Sequence, residues 1–149
     1  MKRDCAEKTL GRVVIDDRLT VAPTDEGGEL VIGFTVTRPE EGASVRLVGL
    51  GGSTLLAPAR GGGIRSIDRE LTAGAPPFRT EVRFIPNRCD VHVVAEDRTG
   101  GILPLRVESK EFGTSPVYLR FTETQKAQIF DYLAERCGFG TEQDPLNAP

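Results

Sequence analysis

The feature that most constrains the fold is a regular alternation of apolar side chains between Glu29 and Thr37. Every second residue of this segment is large and apolar, namely Leu30, Ile32, Phe34 and Val36. Successive side chains of a β-strand point to opposite faces of its sheet, whereas the side chains of a helix repeat about every 3.6 residues. The segment is therefore predicted to be a strand with one face in the hydrophobic core.

The same alternation recurs from Phe78 to Ile85 and from Val117 to Phe121. Further strands are predicted at Arg12 to Val21, Ser44 to Leu50, Asp90 to Glu96 and Ile102 to Glu108, with one short additional strand near Ile64 to Ile67. Turn sequences such as Asp25 to Gly28 and Pro39 to Gly42 separate them, and Ala57 to Pro77 is expected to be a long irregular connection around its one short strand. About seven strands with no helical pattern between them indicate a mainly β protein, an antiparallel β-sandwich that is immunoglobulin-like or related.

One amphipathic helix is predicted near the C-terminus, over residues 122–138. Thr122 can cap its first turn, Gln125 completes a capping box, and Gly138 suits the left-handed position that follows a helix. Its apolar stripe recurs at three- and four-residue steps through Ala127, Phe130, Leu133, Ala134 and Cys137. We expect this stripe to pack on the sandwich, so that residues 1–138 form one domain and 139–149 an extended tail.

Composition and hydropathy argue against two classes of partner. The net charge is −3 and the isoelectric point about 5.3, so no basic field favours nucleic acid. Apolar runs are only a few residues long, so no transmembrane segment is predicted. No apolar stretch follows the charged residues at the N-terminus, which leaves a cytoplasmic protein or the mature part of an exported one.

A glycine-rich segment, Gly49 to Thr54, is superficially like a phosphate-binding loop. It lacks the lysine of such loops, and Pro58 comes too early for the helix that should follow. The segment is instead expected to be a strand end or a β-bulge. No cofactor is predicted.

The densest cluster of chemically versatile side chains comprises Arg88, Asp90, His92, Glu96 and Asp97, and it includes the only histidine. On a strand, Asp90, His92 and Glu96 would share one face, where carboxylate and imidazole groups could bind a divalent cation. One histidine with two carboxylates does not complete a metal site, and the alternative is a polar strand face in which His92 is hydrogen-bonded to Asp90 or Glu96. We treat the five as candidate ligand-binding residues and assign no metal and no catalytic residue.

The three cysteines match no zinc module. Cys137 falls on the apolar stripe of the predicted helix, and Cys89 on the apolar face of the predicted strand, so both would project into one helix–sheet interface. Two outcomes are open. A disulfide would close a loop of about 48 residues and contribute about 4 kcal/mol, whereas two buried free thiols are also common. Cys5 is left without a predicted partner.

The segment from Arg88 to Asp97, R-C-D-x-H-x-x-A-E-D, with Gly100 and Cys137 downstream, resembles a pattern in uncharacterised exported proteins of GC-rich actinobacteria. The resemblance covers approximately the region from Phe78 to Gly138. It implies an extracytoplasmic setting and a link between Cys89 and Cys137, and it implies no particular activity.

The leading functional hypothesis is a non-enzymatic, extracytoplasmic sandwich domain that binds an unknown protein or small-molecule ligand. The alternative is a metal- or ligand-dependent enzyme centred on His92, Asp90 and Glu96. A cytoplasmic location remains the alternative to an extracytoplasmic one.

Overall fold

Nine strands and three helices make up the part of the chain that the computed structural model describes, which is residues 2–60, 62–96 and 101–139. Their order and bounds are α1 Lys2–Leu10, β1 Arg12–Ile15, β2 Thr20–Ala22, β3 Glu29–Thr37, β4 Val45–Gly51, β5 Leu56–Pro58, β6 Ile64–Leu71, β7 Phe78–Pro86, α2 Val91–Glu96, β8 Leu103–Ser109, β9 Gly113–Leu119 and α3 Glu123–Cys137. No helix within these ranges is long and apolar enough to cross a membrane.

The strands form two antiparallel sheets. The first has the order β1-β3-β7-β5, with β2 also pairing with β3, and the second has the order β6-β4-β8-β9. The prediction of a mainly β, antiparallel sandwich with a C-terminal helix is confirmed. The region from Ala57 to Pro77 is more regular than expected, because β6 extends over eight residues and pairs with β4.

The core lies between the inner faces of the two sheets. On β3 the four alternating side chains predicted to be buried are at most 1% exposed: Leu30, Ile32, Phe34 and Val36. The inner faces of β7 and β9 contribute Val82, Phe84, Val117 and Leu119, as their alternation predicted. Charged residues such as Arg79, Glu81 and Arg83 occupy the outer positions of β7.

The predicted strand from Arg12 to Val21 is interrupted between β1 and β2. At this interruption the side chain of Gln125 in α3 donates from Nε2 to the Asp16 carbonyl at 2.8 Å. The backbone N–H of Leu19 donates to Oε1 of Gln128, also in α3, at 3.0 Å. Two glutamine side chains thus replace strand-to-strand partners and fix the helix to the sheet edge.

Helix α3 begins and ends as predicted, but its buried face is rotated. Thr122 and Gln125 form the capping box, and Gly138 adopts the left-handed conformation with φ 77°. The buried residues are Gln125, Ile129, Tyr132 and Leu133. Of the predicted stripe, Leu133 is buried, Phe130, Ala134 and Cys137 are partly buried, and Ala127 is exposed. The prediction favoured apolar residues, whereas Gln125 and Tyr132 are buried because their polar atoms find backbone partners.

Tyr132 anchors α3 over both β3 and β7. Its side chain is 5% exposed, and the single proton of its hydroxyl is shared between the carbonyl oxygens of Gly28 at 2.9 Å and Phe84 at 3.2 Å. Burial raises the pKa of this phenol above its ordinary value of 10.0. The unfolded chain therefore releases the proton before the folded protein does, and stability is lost as pH rises beyond that value.

We expect Tyr132→Phe to lower the free energy of unfolding by about 1 kcal/mol at neutral pH. The variant should also lose less of its unfolding free energy than the parent protein does between neutral and alkaline pH. Urea unfolding at neutral pH and at about pH 11 tests both effects. The matched control is Tyr118→Phe, since Tyr118 is the second tyrosine of the chain. An alkaline decline that is identical in Tyr132→Phe and the parent protein would contradict the assignment.

Helix α1 was not predicted, because only Ala6 and Leu10 mark its apolar face among mostly polar residues. Both side chains are fully buried. The helix packs against β9, the last strand of the second sheet. Ala6 and Leu10 thereby join the hydrophobic core of the sandwich.

Arg38 joins α1 to the sandwich from a buried position. Its side chain is 5% exposed and donates to the carbonyls of Thr9 at 3.1 Å, Leu10 at 3.1 Å and Ala43 at 2.6 Å, and also to that of Leu71. Two of these acceptors are the last residues of α1. The guanidinium therefore supplies hydrogen-bond donors to backbone carbonyls at the end of α1, in the loop before β4 and at the end of β6.

Candidate functional site

The predicted binding residues lie around the start of a helix rather than along a strand. Helix α2 spans Val91–Glu96, and the prediction of a strand from Asp90 to Glu96 was wrong. Oδ1 of Asp90 accepts the backbone N–H of His92 at 2.9 Å, and the Asp90 carbonyl accepts that of Val94 at 3.1 Å. Asp90 thus acts as an N-cap. The valines suggested a strand, but the cap and the burial of Val94, 3% exposed, favour the helical turn.

This geometry changes what the cluster can do. Residues two apart on a helix do not face one another, so the shared face expected for Asp90 and His92 is absent. Arg88, Asp90 and His92 are exposed, whereas Asp97 and the side chain of Glu96 lie outside the described residues. No group of three His, Cys, Asp or Glu side chains is placed to hold a metal within that described part of the chain. The five-residue ligand site stays a prediction.

A disulfide joins Cys89 to Cys137, with the two Cα atoms 5.3 Å apart. The predicted pairing is confirmed, but its geometry differs from the one expected. Cys89 lies in an exposed loop before α2 and not on the apolar face of a strand. The bond ties this loop to the last residue of α3, and Cys5 is a free, partly buried thiol.

The loop that carries Cys89 also rests on the segment that follows β4. The side chain of Asn87 donates to the Ser53 carbonyl at 2.8 Å, and its backbone N–H donates to the Leu55 carbonyl at the same distance. The hydroxyl of Ser53 accepts the backbone N–H groups of Leu55 and Leu56, each at 3.1 Å. These bonds hold the connection between β4 and β5 in one conformation at this end of the sandwich.

Beside that connection, the outer face of the four-stranded sheet contains a depression of about 280 Å³, here called the outer groove. Its lining residues come from the end of β4, from β6 and its preceding turn, and from β8 and β9. They are Gly51, Gly52, Gly63, Ile64, Pro104, Arg106, Pro116 and Tyr118.

The outer groove results from strand register. Gly51 pairs with Ile64, and Pro104 pairs with Tyr118, so these outward positions lie side by side. A Cβ on Gly51 would lie 3.0 Å from Cγ of Pro104, which shows how closely that ring approaches the backbone. The floor of the groove is main chain, and its walls are side chains of the neighbouring strands. The segment from Gly49 to Thr54 contains the end of β4 at Gly51, as expected, and the register of β4 shifts just before it, between Leu47 and Gly49.

The polar side chains of the outer groove are those of Arg106 and Tyr118. Arg106 is exposed and makes no ion pair within the described residues. It supplies the one formal charge among the eight lining residues. Arg46, further along the same sheet face, is already paired with Asp68. The described lining residues therefore combine the apolar side chains of Ile64, Pro104 and Pro116 with one phenol and one positive charge.

The sequence reasoning missed the groove residues, although one signal was present. Glycine inside a strand marks a bulge or a place where another molecule can approach the backbone closely. The glycines at the end of β4 were assigned only to the first of these. Arg106 and Tyr118 gave no signal of their own, because their neighbourhood depends on how four strands align.

Comparison with known proteins adds little to this description. No protein-family model matches the sequence, and no curated protein matches it either. Among solved structures, a structural-genomics target designated SoR45 is similar over 72% of this chain and 81% of that chain, with a TM-score of 0.42 and 8% sequence identity. The function is therefore inferred from this chain's own residues.

Proposed function

We propose that the protein is a non-enzymatic binding domain that works outside the cytoplasm and holds its ligand in the outer groove. The observation that carries this proposal is the groove itself. Ligand sites are concave and mostly apolar, with a few polar groups that fix orientation. Ile64, Pro104 and Pro116 supply apolar surface, and Arg106 and Tyr118 supply polar contacts.

The chemistry of the lining residues supports recognition rather than catalysis. General acid–base catalysis is most effective with a group whose pKa lies near the working pH, and covalent catalysis needs an activated nucleophile. The eight described lining residues include no carboxylate, imidazole, thiol or serine hydroxyl. A guanidinium and a phenol on an apolar wall are suited to holding a ligand.

The disulfide supports an extracytoplasmic setting. Such bonds persist in oxidising compartments, whereas glutathione and thioredoxin keep cytosolic thiols reduced. Cys89 lies in an exposed loop, where reductants could reach the bond. A stable link at this position is consistent with a protein that works outside the cytosol.

The test is a screen of soluble oligosaccharides and extended peptides against the isotope-labelled, disulfide-bonded protein by NMR. We expect a ligand to shift the backbone amide resonances of Gly51, Gly63 and Tyr118. We also expect Gly63→Trp to abolish those shifts, because its indole would fill the groove. Shifts confined to the region around Arg88 and His92 would contradict the proposal and favour the site predicted from the sequence.

A further inference from the structure

We infer that the outer groove binds an acidic polysaccharide, a glycan chain whose sugar rings carry carboxylates. This inference rests on the proposed function and names the ligand class of the same site. The first observation is charge. Arg106 makes no ion pair with any described residue, and the eight described residues that line the groove include no carboxylate. A ligand carboxylate would give this guanidinium a charge-assisted hydrogen bond.

The second observation is a second arginine on the same face. Side-chain burial alternates from Val117 through Phe121, with Val117, Leu119 and Phe121 inward, so Arg120 is exposed on the outer side with Tyr118. Arg106 pairs with Pro116, four residues before Arg120 on the neighbouring strand. Leu119, the last residue of β9, lies three residues or roughly 10 Å beyond Pro116 along the strand, and Arg120 is the next residue. That span exceeds one sugar ring, so a ligand that reaches both must be a chain.

The third observation concerns the walls. Pro104 pairs with Tyr118, so a proline ring and a phenol ring lie side by side between the two arginines. The C–H face of a pyranose ring can pack against such rings while its hydroxyls stay in water. On the outer face of β8, Glu108 lies two residues from Arg106, and its register partner on β4 is Arg46.

A peptide fits the groove less well. Strand β4 is hydrogen-bonded to β6 on one side and to β8 on the other, so its backbone offers little to an incoming strand. A peptide laid on this face would leave backbone N–H groups without partners, which costs free energy. A sugar chain has no such backbone.

The experiment measures binding of oligogalacturonate to the disulfide-bonded protein by titration calorimetry, with its methyl ester as the uncharged counterpart. We expect the acid form to bind at least about tenfold more tightly than the ester, because the ester cannot accept a charge-assisted bond in the same way. Binding should weaken as salt is added.

Three variants locate the contact. Arg106→Gln should weaken binding about tenfold, whereas the control Arg12→Gln, an exposed arginine of the other sheet, should not change it. Gly63→Trp should abolish binding without unfolding the protein, since a Cβ at Gly63 meets no atom within 4 Å. The midpoint of unfolding in guanidinium chloride verifies that each variant keeps its fold.

The outcomes separate the two proposals. Equal affinity for the acid and the ester would overturn the acidic-polysaccharide inference, while a groove-binding function would stand. The same holds if the protein binds a peptide but no oligogalacturonate, and Gly63→Trp abolishes the binding of that peptide. Binding that survives both Gly63→Trp and Arg106→Gln would overturn the groove as the site, and with it both proposals.

Discussion

Arg38→Met is expected to lower the free energy of unfolding by about 3 to 5 kcal/mol. The side chain is buried, and burial lowers the pKa of its guanidinium, which marks the cost of removing the charge from water. Four backbone carbonyls offset that cost by accepting its N–H groups. Methionine fills a similar volume but leaves those carbonyls without the donor, and each unsatisfied buried group is destabilising.

Unfolding in guanidinium chloride measures this effect. The proteins compared are the parent protein, Arg38→Met, Arg38→Lys and the control Arg12→Met. Lysine keeps the charge but cannot reproduce the planar fork that reaches α1, the loop and β6 together, so an intermediate loss is expected. The exposed Arg12 should tolerate methionine with little change. A loss below about 1 kcal/mol for Arg38→Met would show that α1 is held mainly by Ala6 and Leu10.

Removing the disulfide should cost almost as much, about 4 kcal/mol in the chain-entropy account. The two cysteines are 48 residues apart in sequence, and the loop between them contains α2, β8, β9 and nearly all of α3. Without the bond the unfolded chain gains the freedom of that loop, and the folded protein loses the tie between the α2 loop and the end of α3.

Comparing the unfolding midpoints of the oxidised protein, the reduced protein and the double variant Cys89→Ser with Cys137→Ser tests this prediction. Cys5→Ser is the control, because Cys5 is a free thiol whose Sγ lies 3.9 Å from Thr9 Oγ1, a partner that a serine hydroxyl can also approach. Peptide mapping without reductant should recover Cys89 linked to Cys137. Three alkylatable thiols after oxidative expression would contradict both the bond and the argument for an extracytoplasmic setting.

The parts of the fold that follow from local pattern were predictable. Alternation identified β3, β7 and β9, and the cap residues Thr122 and Gly138 bounded α3. The missed or mistaken elements depend on distant partners. Helix α1 is short of apolar residues and relies on Arg38, while α2 combines a β-branched sequence with a cap from Asp90.

The candidate site was harder to predict for a similar reason. The cluster around His92 stood out because its residues are adjacent in sequence and chemically versatile. The outer groove assembles residues from four strands, and its shape depends on a register shift at Gly49 that sequence alone does not place. The apolar stripe of α3 was misjudged because sequence does not show that Gln125 and Tyr132 find backbone acceptors at Asp16 and Gly28.

The alternation on β8 and β9 has a consequence for engineering. On each strand, the side chains that face the outer groove alternate with those that fill the core: Arg106 with Leu105 and Val107, and Tyr118 with Val117 and Leu119. Because the groove floor is main chain, a library randomised at Ile64, Arg106, Pro116 and Tyr118 would vary the proposed recognition surface without changing the core side chains of β8 and β9. The protein could then serve as a scaffold in which ligand preference is selected separately from stability.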